Sequence, residues 1–425
     1  MSLQTIIQDT MRKILTSIVI LTLGLATVTA CGKQNPDDSD TDNEYVPLEL
    51  TKAESGIAVK ANEFGFNVYH SLYEGKPMII SPLSLSLALS MTACGADGET
   101  EKQMTSVLGF SDYSSEEVAG YYKKMVEALK GIDKKSTFEV ANSIWVSKYL
   151  NVKEEFVSVV KDNFASEERT VDFTDPMVIS QINKWCSDNT HGKIAEIVTS
   201  IPSETVLALV NALYFNGKWG GFKFDDKTNK EDFRTIDGAM TKVEMMNTSS
   251  GLSYASCDGW SMVNLPYGNG AFRMSVILPP AEMNFADAAK SLDADRFNKL
   301  SAIACSLPVN LKMPQFKYEY TIDELRGVLA AMGMEVAFDF RKADFGRMAD
   351  VSLGEIFIGT VKHKTFIDVN TNGTEAAAVT YVGMVENSPG PVPVVPVKFI
   401  VDRPFFYIIS ESSTGSVLFI GQKTN

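Results

Sequence analysis

The sequence predicts an α+β protein with large sheets, and three observations carry that prediction. Helix-like stretches alternate along the middle of the chain with runs rich in β-branched and aromatic residues. The stretch LSLSLALSMTACGADGE, beginning at Leu83, is apolar almost all round, which suits a helix buried inside a large core. The C-terminal end holds two more strand candidates, Phe405 to Ser410 and Ser416 to Gln422. Strands and helices mixed in this way fit sheets with helices packed upon them. The chain has 425 residues, 45% of them apolar, enough to fill such a core. No Pro/Gly-rich linker interrupts residues 52–385, so one large domain, 52–425, is expected.

Ahead of that domain, residues 1–30 read as a targeting segment. Arg12 and Lys13 precede an apolar run from Ile14 to Leu25, and Val28-Thr29-Ala30-Cys31 follows. A basic start, a short apolar run and small residues before a cut are the parts of a secretory signal. Met11 makes the better start. A cysteine directly after the small pair resembles a bacterial lipobox, which implies cleavage before Cys31 and diacylation of its sulfur. A plain signal peptide or a short membrane anchor is the competing reading. Residues 31–51, GKQNPDDSDTDNEYVP and its flanks, are acidic and poor in apolar side chains, as a flexible tether is. Asp37 to Glu44 serve there as an export signal or as a spacer. The expected location is the cell envelope, on the outer membrane, facing the periplasm or the surface.

Within the domain, Phe64, Val68 and Leu72 recur at helical spacing over residues 57–73. Ser81-Pro82 then looks like an N-cap followed by proline at the first helical position, opening a helix that ends near Gly95. Phe138 to Val146, Thr205 to Phe215, Met262 to Leu278 and Leu307 to Met313 read as strands. The run from Phe272 to Leu278 stops at Pro279-Pro280.

Composition and motifs exclude several functions. The formal net charge is −14, so a nucleic-acid partner is not expected. There are only three histidines, His70 in the first helix, His191 in a polar THGK turn, and His363. No GxSxG elbow, HExxH, P-loop or GxGxxG after a strand is present, so the chain does not read as an enzyme. Cys94, Cys186, Cys257 and Cys305 have no zinc spacing. They form two disulfides or, more simply, four buried thiols. No cofactor or metal is implied.

Residues 361–387, VKHKTFIDVNTNGTEAAAVTYVGMVEN, carry the functional signal. VKHKTFIDVN looks like a strand, and Asn370 to Gly373 like a turn. Beyond it, period two puts Thr374, Ala376, Ala378 and Thr380 on one face, all small, and Glu375, Ala377, Val379 and Tyr381 on the other. Such a strand fits a tight gap in a packed sheet, where a bulky side chain would overpack it by roughly 1–3 kcal/mol. A short helix is the competing reading, since TEAAA has good helix propensity. Prolines at 389, 391, 393 and 396 then impose an exposed, extended loop, suited to a protease or to a mere linker.

From about residue 57 onward the chain resembles the serpin family. The blocks ISPLSLSLALSMTACGADGETEKQM, VANSIWV, VDF, INKWCSDNTHGKI, LVNALYFNGKW, LPYGNG, FRMSVILP, LKMPQFKYE, LAAMGM and KADFGRM occur in the family's order. VKHKTFIDVNTNGTEAAAVT, DRPFFYII and GSVLFIGQ close it. The resemblance implies three β-sheets, eight or nine helices and an exposed reactive-centre loop, here about 373–400. It also implies a suicide inhibitor. A serine or cysteine protease attacks the loop and forms an acyl-enzyme, and the cleaved loop enters the main sheet as a new strand before deacylation.

Carried over residue by residue, Gly373, Thr374, Glu375, Ala376, Ala377 and Ala378 match the hinge of inhibitory members, and Thr380 fits its buried face. Ser81, Ser84, Asn211 and His363 match the region where the sheet opens, with hydrogen bonds expected to hold it closed. His363 is equally a satisfied core histidine. Trp219 matches an aromatic at the top of the sheet, or is a packing tryptophan. The family's acidic pair before the hinge glycine is replaced by Thr371 and Asn372, which puts the closed state and insertion rate in question. Register from Gly373 puts cleavage between Asn387 and Ser388, with bonds after Tyr381, Met384, Val385 and Glu386 as alternatives. Expected partners are the target protease and the membrane through Cys31, with the protein a monomer. A non-inhibitory serpin, acting as a binding or chaperone-like module, is the alternative function.

Overall fold

Helix α1 (Lys52–Ser71) begins earlier than its apolar spacing suggests, because Thr51 and Glu54 form a capping box. The Thr51 hydroxyl accepts the Glu54 N–H at 3.2 Å and the Glu54 carboxylate accepts the Thr51 N–H at 2.7 Å. After β1 (Met78–Ile80), α2 (Pro82–Ala93) opens on Ser81, whose hydroxyl accepts the Ser84 N–H at 3.2 Å. Every residue of α2 except Ala88 is buried, as its all-round apolarity requires. The computed structural model describes residues 43–201, 205–322, 325–359, 361–374 and 395–425.

Then follow α3 (Gly98–Leu108), α4 (Ser115–Leu129), β2 (Ser136–Ser147), α5 (Glu154–Phe164), β3 (Ser166–Val171), α6 (Met177–Asp188) and β4 (Leu207–Lys218). The second half contributes β5 (Asn229–Arg234), β6 (Met240–Cys257), β7 (Trp260–Tyr267), β8 (Phe272–Leu278), α7 (Phe285–Ser291), α8 (Ala294–Ile303), β9 (Cys305–Pro314), β10 (Phe316–Ile322) and α9 (Leu325–Ala331). It ends with β11 (His363–Asn370), β12 (Gly373–Thr374), β13 (Val397–Ile400), β14 (Phe405–Glu411) and β15 (Val417–Lys423). Nine α-helices thus lie among the described residues. The run Met262 to Leu278 is two strands of a hairpin, β7 and β8, because Gly268 and Gly270 turn the chain with φ of +44° and +91°.

Six strands form one sheet in the order β10-β11-β12-β4-β2-β3. The other nine are linked in the order β1-β15-β14-β8-β7-β6-β9-β13, with β5 also on β6. The long strand β6 pairs with β5 through Met240–Met245, with β9 through Met245–Tyr254, and with β7 only through Ser253–Cys257. It therefore passes from one sheet into another, and the fold is the three-sheet α+β arrangement expected. Strands β14 and β15 are buried at every residue and fix the centre of the core. A second, smaller core of Trp145, Ile182, Trp185, Ile194, Val210 and Ala212 lies between α6 and the six-stranded sheet.

The body begins at Asn43, ahead of the boundary that composition suggests. Asn43 Nδ2 donates to Asp133 at 3.0 Å, and the Tyr45 hydroxyl donates to the buried Glu411 carboxylate at 2.7 Å. Tyr45, Leu48 and Leu50 pack against the core, so this acidic stretch carries enough apolar side chain to be held down. Cys31, the rest of the tether, and Glu375, Ala376, Ala377, Ala378, Thr380, Tyr381, Met384, Val385, Glu386, Asn387 and Ser388 lie outside the described residues.

Candidate functional site

Among the described residues the six-stranded sheet has a gap one strand wide at its centre. Among the described residues β4 and β11 are not paired with each other, and the two-residue β12 stands between their upper ends. Gly373 is level with Asn370 and Lys218, and Thr374 with Val369 and Gly217. Gly373 has φ of +149°, a backbone that side chains disfavour, and a Cβ there would come within 2.2 Å of the Gly217 carbonyl oxygen. Glycine is thus required where the chain turns into the sheet.

Thr374 is 4% exposed and its hydroxyl lies 2.7 Å from that of Tyr267. Burial drives the Tyr267 phenol well above its usual range, so it stays neutral as hydrogen-bond partner. The Trp219 ring stacks on Tyr267 at 4.6 Å and 13°. Its indole N–H donates to the Asn370 carbonyl at 2.9 Å, and its backbone N–H donates to that of Asn372 at 3.2 Å. Trp219 therefore clamps the turn between β11 and β12 and is more than packing. Asn372, which stands where the family has an acid, uses its own N–H on the Asn370 side chain at 3.0 Å.

The lower end is built differently. His363 starts β11, buried, and its Nε2 accepts the Ser81 N–H at 3.0 Å. Burial pushes its pKa down to about 4, keeping the ring neutral for that role. The Ser84 hydroxyl donates to Asn211 Oδ1, and Asn211 Nδ2 donates to Asn142 Oδ1 at 2.7 Å. Asn142 Nδ2 in turn donates to the Phe164 carbonyl at 2.6 Å. Each strand is tied to the N-terminus of α2, β11 through His363 to Ser81 and β4 through Asn211 to Ser84. Beneath and beyond them lies a cavity of about 370 Å³, lined by Leu85, Leu89, Ile182, Val210, Asn211 and Ile356 among others.

Ser81, Ser84, Asn211 and His363 are thus gathered at one end of the gap, and Gly373, Thr374 and Trp219 at the other. Sequence reasoning missed Asn142 and Tyr267. Asn142 lies among Ser136, Thr137, Glu139, Ser143 and Ser147 of β2 and so had no distinct signal, and Tyr267 meets Thr374 only through the fold. The four cysteines stand as separate thiols. Cys186 is buried and Cys94 half-buried, and burial pushes both thiols up to about 12. Cys305, expected inside, is exposed because it opens β9 at a sheet end, opposite Tyr254.

The family model described as Serpin (serine protease inhibitor) matches residues 59–425. Iripin-2 of Ixodes ricinus is 31% identical over 385 residues, covering 88% of this chain and 93% of that protein. A serpin-like protein of Thermococcus kodakarensis is 30% identical over 403 residues, covering 92% of each. The native state of tengpin, a thermophilic serpin, has the same fold with a TM-score of 0.79 at 30% identity, covering 92% of this chain and 99% of that one. With sheet order, gap and sequence agreeing over most of its length, the chain belongs to the serpin family.

Proposed function

We propose that the protein is a suicide inhibitor of serine, or cysteine, endopeptidases that traps its target by inserting the cleaved loop into the gap between β4 and β11. One observation carries this reading: Gly373 and Thr374 are already paired on both sides at the top of a gap with no β4–β11 pairing below. Continued in two-residue steps, that register would set Ala376 between Ile367 and Phe215, and Ala378 between Thr365 and Leu213. Thr380 would fall between His363 and Asn211, two polar side chains already held by Ser81, Ser84 and Asn142. Thr374 faces inward, so these small residues would share its buried side.

In the proposed reaction the protease serine oxygen, or cysteine sulfur, attacks the carbonyl carbon of the scissile residue. The peptide C–N bond breaks, the new amine leaves with a proton, and an acyl-enzyme remains. Each further row of the gap filled adds ladder hydrogen bonds and buries side chains, and the attached protease is dragged along before water can deacylate it. The scissile bond is assigned to Asn387–Ser388, with Tyr381, Met384, Val385 and Glu386 as alternative acyl donors. The test is a panel of serine and cysteine endopeptidases run on denaturing gels, with heat denaturation before and after loop cleavage. A covalent complex and a large rise in melting temperature are expected. Cleavage without complex or rise would leave a non-inhibitory binding module.

The proposed site of action is the cell envelope, with Cys31 diacylated and residues up to Asp42 as the tether. Metabolic labelling with a fatty acid should mark the native chain and spare Cys31→Ser. Equal labelling of both would remove the anchor.

A further inference from the structure

The chain contains three Asn-Gly pairs, Asn216-Gly217, Asn269-Gly270 and Asn372-Gly373. In such a pair the side-chain amide is open to attack by the next backbone nitrogen, since glycine has no Cβ to crowd the approach. The fold treats the three pairs differently. Asn216 lies within β4, level with Thr137, and its Nδ2 donates to the Tyr214 hydroxyl at 3.1 Å. Asn269, in the turn between β7 and β8, has both ends of its amide engaged. Its Nδ2 donates to the Ile132 carbonyl at 2.8 Å and its Oδ1 accepts the Ala271 N–H at 3.0 Å. Asn372 is exposed, and its side-chain amide makes no hydrogen bond among the described residues.

The glycine after Asn372 is imposed by the fold, whereas the asparagine is not. A Cβ at 373 would come within 2.2 Å of the Gly217 carbonyl oxygen. What the fold uses of residue 372 is its backbone. The N–H donates to Asn370 Oδ1 at 3.0 Å, and the carbonyl accepts the Trp219 N–H at 3.2 Å. Asn370, two residues back, is a poor competitor for the same chemistry. Its side chain takes that N–H and also reaches Asp368 at 3.4 Å, and the β-branched Thr371 follows it. The reactive pair therefore stands in the turn that feeds β12, directly ahead of Thr374.

We infer that Asn372-Gly373 is a deamidation site, and that its isoaspartyl product acts as a timer that disables the top of the gap. The Gly373 nitrogen, giving up its proton, attacks Cγ of Asn372. The amide nitrogen leaves as ammonia and a cyclic imide closes. Water then opens the imide at either carbonyl. Opening at Cγ gives aspartate with the backbone unchanged, and opening at the main-chain carbon gives isoaspartate, in which the chain runs through the side chain. One water is consumed and one ammonia released, and nothing is oxidised or reduced. Isoaspartate adds a methylene to the main chain ahead of Gly373 and turns the carbonyl that holds the Trp219 N–H into a free carboxylate. Gly373 and Thr374 can then no longer stay level with Asn370 and Val369 on one side and with Lys218 and Gly217 on the other. The buried Thr374 hydroxyl, 2.7 Å from that of Tyr267, is displaced with them. The effect on trapping rests on the insertion reading proposed above. A strand without its first rows starts later, the acyl-enzyme has longer to hydrolyse, and an inhibitor becomes a substrate with age.

The experiment incubates the intact protein warm, at mildly alkaline pH in heavy-oxygen water, and samples it over days for peptide mapping by mass spectrometry. Asn372 should convert to labelled aspartate and isoaspartate well ahead of Asn216 and Asn269. Survival of Asn372 for as long as Asn269 would overturn the site and leave insertion untouched. Aged and fresh samples are then compared for covalent complex with a protease that the fresh protein traps, and for heat stability after loop cleavage. Loss of even one of the Trp219 and Tyr267 hydrogen bonds should cut the ratio of complex to cleaved product roughly two- to tenfold in the isoaspartyl fraction. Asn372→Gln, whose longer side chain closes the ring far more slowly, should show no such loss between its own fresh and aged samples. Fresh Asn372→Asp has the charge without the extra methylene and should form more complex than the isoaspartyl fraction. Equal complex from fresh and aged native protein, or an equal loss in Asn372→Gln, would overturn the timer. Fresh protein that traps nothing and gains no heat stability on cleavage would overturn insertion and the timer together, with the mapped conversion alone deciding the site.

Discussion

The two ends of the gap in the six-stranded sheet are built from different chemistry. At the top, Thr374, Tyr267 and Trp219 form a finished contact, with a strand already paired on both sides. At the bottom, His363 and Asn211 are fastened to Ser81 and Ser84 of α2, and a cavity of about 370 Å³ lies beyond them. A strand that must enter quickly needs its first rows in place, since nucleation is the costly step when non-local pairing has to begin from a free loop. It also needs the remaining rows held apart, and a buried helix terminus supplies partners that do not depend on the strand. If the loop inserts as proposed, the top would guide it and the bottom would hold the space for it.

The largest effect should come from breaking the top. Thr374→Arg would press a charged side chain against the buried Tyr267 hydroxyl, at a position that is 4% exposed. An unpaired buried charge costs about 3–5 kcal/mol, which is roughly a hundredfold or more in the partition toward the trapped complex. The loop should still be cut, and the product should be cleaved protein without covalent complex on a denaturing gel. Undiminished complex formation would mean that the first rows do not guide the strand.

Both ends were partly legible in the sequence, and for different reasons. Ser81-Pro82 announces a helix start by local chemistry, and the apolarity of residues 83–93 announces burial, so α2 needed no tertiary information. At the top, Gly373 was legible as a turn glycine and Thr374 as a small side chain turned inward, whereas the period-two and helical readings of TEAAA both depend on residues 375–380, outside the described residues. The capping box at Thr51 and Glu54 was equally local and marks the true start of α1. What was not legible was long-range. Thr374 meets Tyr267, and Ser84, Asn211 and Asn142 join from α2, β4 and β2, because of how the sheets are ordered. A strand-wide gap is a property of pairings that are missing, and periodicity within a strand says nothing about which neighbour it lacks. The single run from Met262 to Leu278 hid a hairpin although Gly268 and Gly270 stood in its middle.

A second prediction separates the ends by pH. His363 titrates at about 4 in the folded protein against about 6.5 in an unfolded chain. Between those values the unfolded state binds the extra proton, so its contribution to stability is complete above about pH 6.5 and is lost as pH falls toward 4. The upper bound is about 3 kcal/mol. Protonation also removes the Nε2 acceptor that the Ser81 N–H uses. Denaturant midpoints at pH 7 and pH 4.5 should therefore draw apart more for the native chain than for His363→Gln. The same slope in both would show that acid sensitivity lies elsewhere. The Tyr267 phenol should be silent in this window, since burial drives it upward and away from it.

The smallest expected effect tests whether the top is truly finished before cleavage. Trp219→Phe keeps a ring over Tyr267 and keeps the backbone bond to Asn372, but removes the indole N–H from the Asn370 carbonyl. One such bond is worth about 1 kcal/mol. If the top contact is the same before and after the loop is cut, both forms lose that amount, and the gain in heat stability on cleavage is unchanged. Substitutions at the bottom should instead alter the gain, because the partners of His363 and Asn211 change when a strand arrives between them. Heat denaturation of native and cleaved protein, with and without Trp219→Phe, gives the four values needed. A loss confined to one form would mean that the turn at Asn370–Asn372 rearranges during insertion, and the division into a fixed top and a waiting bottom would fail.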